Sequence, residues 1–121
     1  MSKPKVLFED LGNIAVIKLN RPEKRNALDP ETVMMFNEFS EKAKDPKFKA
    51  VIVTGDESAF CGGADITAAA SEDGMGWDSV EQALNEGYHV GLNNMIYMDK
   101  VVIAAVEGAC AGIGCAYYLS S

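Results

Sequence analysis

Two glycine-rich stretches carry the residues whose types and spacing could support chemistry. The first, CGGADI, covers residues 61–66, and the second, GACAGIG, covers residues 108–114. Glycine leaves backbone N–H groups uncovered, and the second stretch runs into a predicted helix whose first amides are unpaired. Two such donors aimed at one point form an oxyanion hole, which stabilises an oxygen that gains negative charge, such as a thioester carbonyl becoming an enolate.

Each glycine loop, taken alone, is equally consistent with a tight turn between a strand and a helix. Phosphate binding is less favoured, because neither loop matches the G-x-x-x-x-G-K-[ST] or the G-x-G-x-x-G pattern. The residues by themselves therefore leave a structural turn and an oxyanion hole as alternatives for each loop.

The elements before the first glycine loop follow from local patterns. The segment KVLFEDLGNIAVIKLN predicts a hairpin with strands over Val6 to Glu9 and Ile14 to Leu19, joined by turn residues. The segment DPETVMMFNEFSEKAK predicts a helix, because Asp29 can cap its first turn and Pro30 suits its first position. Between them, RPEKRNALD predicts a loop with a basic cluster of Arg21, Lys24 and Arg25.

Two apolar segments, residues 49–55 and 100–106, predict buried strands, and a long helix is predicted over residues 79–99 between them. Each strand runs into a glycine loop and then a helical pattern. Strands that alternate with helices pair in parallel through helical crossovers, so the sequence predicts an α/β layered fold. Both glycine loops then leave the carboxyl edge of the sheet, where such sheets bind ligands.

Composition excludes several classes of function. The 121 residues suffice for one domain at most, and the net charge of −7 argues against nucleic-acid binding. The longest apolar run, Val101 to Val106, is too short to span a bilayer, and the N-terminus lacks the apolar core of a signal peptide. Three cysteines without a C-x-x-C spacing and a single histidine predict neither a disulfide framework nor a metal site. We expect a cytoplasmic protein with no nucleic-acid or membrane partner.

Three ordered stretches together resemble the enoyl-CoA hydratase/isomerase family, also called the crotonase family. They are LNRPEKRNALD, VIVTGDESAFCGGADI and KVVIAAVEGACAGIGCAYYLSS, and the resemblance covers nearly all of the chain. It implies an α/β fold built as a crotonase-like spiral of β-β-α units and an acyl-CoA thioester as the ligand. It also implies a homo-oligomer, a trimer or hexamer, and no separate cofactor, since coenzyme A is part of the substrate.

The resemblance assigns roles to particular residues. The backbone amides of Ala64 and Ile113 would donate to the thioester oxygen, and the loop at Lys24, Arg25 and Ala27 would cradle the adenine and pantetheine by backbone contacts. The basic side chains of that loop could face phosphates, although a solvated loop is the alternative. The further residues expected at the substrate are Gly63, Asp65, Ile66 and Gly112, of which Asp65 could instead cap the following helix.

The sequence departs from the family pattern at Ala116. Hydratases of the family have a glutamate there that helps to activate water, and their second acid/base glutamate would lie beyond Ser121. We therefore expect residues 1–121 to be the N-terminal part of a crotonase-like acyl-CoA-binding domain with its C-terminal half absent. The strand at Val101 to Val106 would then expose apolar surface and drive self-association.

Two functional hypotheses remain open from the sequence. The intact protein could process an acyl-CoA as a hydratase, or as a family isomerase or hydrolase, by stabilising an enolate or oxyanion. Alternatively, the chain could be a non-catalytic acyl-CoA-binding or assembly fragment. Structural roles are favoured for Cys61, Glu107 and Cys115, and a structural or surface role for His89. Tyr117 and Tyr118 could reach a pocket, but core packing is favoured for one of them.

Overall fold

Two β-sheets and two α-helices form the part of the chain that the computed structural model describes, namely residues 4–56, 59–61, 87, 89–106 and 109–110. In chain order the elements are β1 (Val6–Asp10), β2 (Ile14–Leu19), a 3-10 turn (Pro22–Lys24), α1 (Pro30–Lys42), β3 (Ala50–Thr54), β4 (Ala59–Cys61), α2 (His89–Ile96), β5 (Val101–Ala105) and β6 (Ala109–Cys110). The first sheet has the strand order β1-β2-β3-β5, and the second pairs β4 with β6.

The predicted hairpin is confirmed. Strands β1 and β2 are antiparallel, and Val6 lies opposite Leu19. Gly12 takes a φ of +92°, and its amide donates a hydrogen bond of 2.8 Å to the Asp10 carboxylate. A positive φ is readily available to glycine, so the turn residue and the strand pattern specify the hairpin together.

The predicted parallel arrangement is also confirmed. Strand β3 pairs in parallel with β2 on one side and with β5 on the other. Each of β3 and β5 is followed by a short strand of the second sheet, and these two short strands, β4 and β6, are again parallel. The structure thus repeats a unit of two strands that lie in different sheets, which is the β-β part of the β-β-α unit that the family resemblance implies.

The hydrophobic core lies between α1 and the four-stranded sheet. Val33 and Phe36 of α1 are fully buried, as are Ile17, Val51 and Val53 of the central strands. The rings of Phe39 and Phe48 flank Phe8, with centroids 5.5 and 5.7 Å from its ring. The apolar stripe predicted for α1 therefore faces the sheet, and α1 begins at Pro30, with Asp29 as its N-cap.

The second helix packs closely against α1. Its described part ends at Ile96, and residues 79–86 and 88 of the predicted long helix lie outside the described residues. The side-chain amide of Asn94 donates a hydrogen bond of 2.8 Å to Ser40 Oγ. Ser40 Oγ in turn donates one of 2.7 Å to the backbone carbonyl of Asn37. Gly91 lies against Phe36 and Asn37, so the helices approach at a point where a side chain is absent.

Replacement of Gly91 by alanine should destabilise the fold. A Cβ atom at this position would lie 2.6 Å from Asn37 Oδ1 and 2.7 Å from Phe36 Cδ1. Overpacking of this kind costs about 1–3 kcal/mol, which should exceed the gain of about 1 kcal/mol from better helix propensity. Urea denaturation should show a lower midpoint for Gly91→Ala. Asn93→Ala on the exposed face of α2 is the control, with an expected change within about 0.5 kcal/mol; an equal or higher midpoint for Gly91→Ala would contradict this account.

The burial predicted for β5 from its apolar run is wrong, whereas the expectation that this strand exposes apolar surface is confirmed. The side chains of Val101 and Ile103 are 62% and 49% exposed, and only Val102 and Ala104 turn partly inward. Strand β5 is the last strand in the order β1-β2-β3-β5, and no described element covers the face that carries Val101 and Ile103. A continuous apolar run predicts burial on both faces, but the number of layers that cover a strand depends on the tertiary fold.

We expect the exposed face of β5 to cause self-association at micromolar concentration, because open apolar strands pair with other chains. Light scattering should report a mass above that of the monomer. Ile103→Lys should lower this mass by placing a charge on the exposed face. Met34→Lys is the matched control, since Met34 of α1 is 52% exposed and lies away from β5. A monomer before any substitution would contradict the prediction.

Candidate functional site

Three loops leave the carboxyl edge of the four-stranded sheet. Lys18 of β2 lies opposite Thr54 of β3, and Thr54 lies opposite Ala105 of β5. The basic loop follows β2, the first glycine loop follows β3 and β4, and the second follows β5 and β6. Because parallel strands end together, the chain leaves one edge of this sheet on its way to all three segments that are predicted to bind a ligand.

A side-chain hydrogen bond ties two of these strand ends together. Thr54 Oγ1 donates to the carbonyl oxygen of Ala105 at a distance of 2.9 Å. The two residues are 51 positions apart in the sequence. The bond therefore fixes the end of β3 against the end of β5, just before the chain enters the two glycine-loop regions.

The second sheet pairs the two short strands that directly precede the glycine loops. Ala59 pairs with Ala109 and Cys61 with Cys110, with an irregularity between the two pairs. Ala64 follows Cys61 by three positions (64 − 61), and Ile113 follows Cys110 by three positions (113 − 110). The candidate residues Gly63, Ala64, Asp65, Ile66, Gly112 and Ile113 themselves lie outside the described residues. The described strands establish only that the two loops start from neighbouring, parallel and equally offset positions.

Cys61 has a structural environment. Its side chain is fully buried beside Phe60, and it forms no disulfide. A buried thiol in apolar surroundings is usually inert, so the structural interpretation of this residue is supported. His89 lies exposed at the start of α2, in agreement with the expectation of a surface position.

The basic loop folds back on itself through its own backbone. The amides of residues 24–27 all donate to carbonyl oxygens within the loop, at distances between 2.8 and 3.1 Å. The side chains of Lys24 and Arg25 are exposed, whereas Ala27 is half-buried. Three of the predicted site residues thus lie together in one tight turn. Since its donors are already used, any backbone contact that this turn makes with a ligand has to use carbonyl oxygens.

Arg21 does not belong to an exposed basic cluster, contrary to the prediction. Its side chain is buried, and Nη1 donates a hydrogen bond of 2.7 Å to the carbonyl oxygen of Ala27. The same nitrogen lies 3.6 Å from Asp29 Oδ2. A charged side chain is buried only where it finds partners. Spacing in the sequence could not show that Arg21, rather than Lys24 or Arg25, would turn toward these groups.

Asp29 joins the basic loop to α1. One carboxylate oxygen accepts hydrogen bonds from the Thr32 amide and hydroxyl, at 2.8 and 2.5 Å, and the other accepts one of 2.6 Å from Lys5. Burial alone would raise the pKa of Asp29, but these hydrogen bonds and the charge of Arg21 lower its pKa from 3.8 to about 2. The carboxylate is therefore ionised, and it holds both the end of the loop and the start of the helix.

Asp29 should make the free energy of unfolding fall as the pH is lowered. Its pKa is lower in the folded chain, so its contribution is complete above about pH 4 and is lost as the pH falls toward 2. Asp29→Asn keeps an N-cap acceptor but removes the charge. We expect the urea midpoint of this variant to change less between pH 5 and pH 2.5 than that of the unmodified protein. Glu38→Gln, an exposed change on α1, should leave the acid dependence intact; an equal loss of acid dependence in both variants would argue against Asp29 as its source.

The described ranges contain neither a metal-binding cluster nor a membrane-spanning helix. No group of three or more histidine, cysteine, aspartate or glutamate side chains there is placed to hold a metal ion. Across the same ranges, no helix combines the length and the apolar character needed to cross a bilayer.

The sequence and the fold both match known proteins. The pattern of the enoyl-CoA hydratase/isomerase family matches residues 9–120. The chain is 37% identical over 110 residues to a probable enoyl-CoA hydratase of Mycobacterium tuberculosis, and 35% identical over 123 residues to a short-chain-enoyl-CoA hydratase of Clostridium acetobutylicum. A crystal structure of an enoyl-CoA hydratase from Polaromonas sp. JS666 superposes with a TM-score of 0.79 and 32% identity.

These matches cover most of this chain but less than half of the other proteins. The alignments span 90% and 95% of the chain against 41% and 43% of the two relatives. The superposition spans 95% of the chain and 45% of the Polaromonas protein. The expected crotonase-like α/β fold is thereby confirmed for the region in common. With a family pattern matched over nearly its whole length, the chain belongs to the enoyl-CoA hydratase/isomerase family.

Proposed function

We propose that the protein binds an acyl-CoA thioester and stabilises negative charge on the thioester oxygen with the backbone amides of Ala64 and Ile113. The observation that carries this proposal is the parallel pairing of Cys61 with Cys110, which starts both glycine loops side by side. Two amides that follow paired strands at equal offsets would need no reorganisation when charge develops, which is the basis of oxyanion stabilisation. Gly63, Asp65, Ile66 and Gly112 would complete the lining of the thioester site.

The basic loop would bind the nucleotide end of coenzyme A. It leaves the same edge of the sheet as the glycine loops, and its exposed Lys24 and Arg25 side chains supply positive charge on a chain with a net charge of −7. Cationic side chains bind phosphate groups through charge-assisted hydrogen bonds. The carbonyl oxygens near Ala27 would accept hydrogen bonds from the adenine.

The reaction is the open part of this proposal. An oxyanion hole is compatible with hydration, isomerisation or hydrolysis of an acyl-CoA, and the fold does not choose among them. Ala116, at the position of a hydratase glutamate, favours a reaction other than water addition or a non-catalytic acyl-CoA-binding role, because alanine cannot transfer a proton. Assembly into a trimer or hexamer, a cytoplasmic location and activity without a separate cofactor are further parts of the proposal.

A binding and turnover screen tests the function. The purified protein is incubated with a panel of CoA thioesters, and mass spectrometry reports both the bound ligand and any change in product mass. We expect at least one thioester to bind, and the double variant Lys24→Gln/Arg25→Gln to bind it more weakly.

The matched control is Lys44→Gln/Lys49→Gln. It removes the same charge from exposed residues beside the amino end of β3, opposite the proposed site. A protein that binds no CoA thioester, or one whose binding falls equally in both double variants, would contradict the proposal.

A further inference from the structure

The basic loop contains two consecutive residues in a left-handed conformation. Arg25 has a φ of 52° and Asn26 a φ of 57°, and neither is glycine. This conformation costs an L-residue roughly 1–2 kcal/mol, so it persists only where the surrounding structure imposes it. Lys24 and Arg25 are the two exposed cations of the loop. The strained pair includes Arg25 and directly follows Lys24.

Asn26 holds the loop closed at two points. Its side chain is buried, and Oδ1 accepts a hydrogen bond of 2.7 Å from the Arg21 amide. Its backbone amide donates a hydrogen bond of 2.8 Å to the backbone carbonyl of Arg21. Asparagine tolerates positive φ better than most residues, so residue 26 supplies both the acceptor and the required backbone shape.

Arg21 holds the other side of the strained pair. Its guanidinium donates to the Ala27 carbonyl and lies beside the Asp29 carboxylate. Arg21 therefore contacts the residues on the far side of Arg25 through both its backbone and its side chain. The Arg21 side chain is only 10% exposed, so it acts on the shape of the loop rather than on a ligand.

We propose that Arg21 and Asn26 are positioning residues that hold Lys24 and Arg25 in place for the phosphate groups of coenzyme A. This inference rests on the proposed function. Without the two-point closure, residues 25 and 26 would relax to negative φ and redirect the side chains of the loop. The effect of Arg21 and Asn26 on binding should therefore pass largely through the two exposed cations, with the remainder through the carbonyl oxygens near Ala27.

Two variants separate the contributions to this closure. Asn26→Gly keeps access to positive φ but removes the Oδ1 acceptor. Arg21→Lys keeps the charge, yet a lysine has a point charge instead of a planar fork and cannot reproduce the same contacts. Each variant is made in the unmodified protein and in the Lys24→Gln/Arg25→Gln background, and isothermal titration calorimetry measures the Kd for coenzyme A.

In the unmodified background we expect each variant to weaken binding of coenzyme A by about tenfold, the loss expected for about one charge-assisted hydrogen bond. In the Lys24→Gln/Arg25→Gln background we expect a clearly smaller weakening, because residues that act through each other are not additive. A purely structural role would lower the folded fraction and weaken binding equally in both backgrounds. Equal weakening, or none in the unmodified background, would overturn the inference.

The failure of the inference is distinguishable from failure of the proposed function. If the unmodified protein does not bind coenzyme A, or if Lys24→Gln/Arg25→Gln binds it as well as the unmodified protein does, the nucleotide site itself is wrong and the inference fails with it. If the double variant loses affinity while Asn26→Gly and Arg21→Lys retain it, the site stands and only the positioning role is wrong.

Discussion

Replacement of the Ile113 amide by an ester linkage should lower the turnover of a bound acyl-CoA by about 10²–10³-fold, the loss typical of one oxyanion-hole donor. The substitution exchanges one N–H group for an oxygen and leaves the side chain in place. The same change at Ala64 should have an effect of similar size. The physical reason is that each donor contributes most when charge develops on the thioester oxygen, so the loss appears in the chemical step rather than in binding.

Matched variants isolate the amide from its side chain. Ile113→Gly and Ala64→Gly keep the N–H donor and should retain far more activity than the ester variants. Isotope-edited infrared spectroscopy supplies a readout that does not need turnover, since a bound thioester carbonyl should absorb at lower frequency when both amides polarise it. An unchanged carbonyl frequency on binding, or equal losses in the ester and glycine variants, would contradict the oxyanion hole.

Introduction of glutamate at residue 116 should raise the hydration of crotonyl-CoA by about 10²–10⁴-fold, the usual contribution of a positioned general acid or base. Before the substitution we expect hydration below the rates typical of enzymes, which begin on the order of 1 per second. Alanine at this position has no titratable group, so the water molecule must be activated without it. The assay follows loss of the conjugated double bond and mass gain by one water molecule.

Ala116→Gln controls for the size and polarity of the new side chain. It should bind crotonyl-CoA but leave hydration near the starting rate, because an amide does not accept a proton at neutral pH. Efficient hydration by the unmodified protein would show that another residue activates the water. If Ala116→Glu binds the thioester and hydration still does not rise, a glutamate at residue 116 does not by itself supply the missing acid/base chemistry.

Local sequence determined the elements that frame the candidate site. The hairpin turn at Gly12 and the N-cap at Asp29 depend on neighbours a few residues away, so their residue types were sufficient to predict them. The strands β3 and β5 and their parallel pairing followed from apolar runs separated by a helical pattern. Three ordered motifs also indicated the family, because each motif occupies a short continuous segment.

Several features of the site depended on contacts that the sequence does not display. Of the predicted site residues, Lys24, Arg25 and Ala27 lie together in one turn, and the candidates in the glycine loops remain predictions. The separation of the basic cluster into a buried Arg21 and two exposed cations was missed, because the partners of Arg21 are the Ala27 carbonyl and the carboxylate that caps the next helix. The strained backbone of Asn26 was missed for the same reason, since the hydrogen bond from the Arg21 amide to Asn26 Oδ1 forms only when the loop folds.

The amino-acid sequence alone determined the type and order of most elements and the family, and the roles of residues 64, 113 and 116 stay predictions. The tertiary structure alone decided which face of β5 meets solvent and where α1 and α2 touch at Gly91. It also decided the pairing of Cys61 with Cys110, which starts the two glycine loops side by side. The physical reason is distance along the chain: turns, caps and strand patterns arise from neighbouring residues, whereas burial and register arise from segments that meet only after folding.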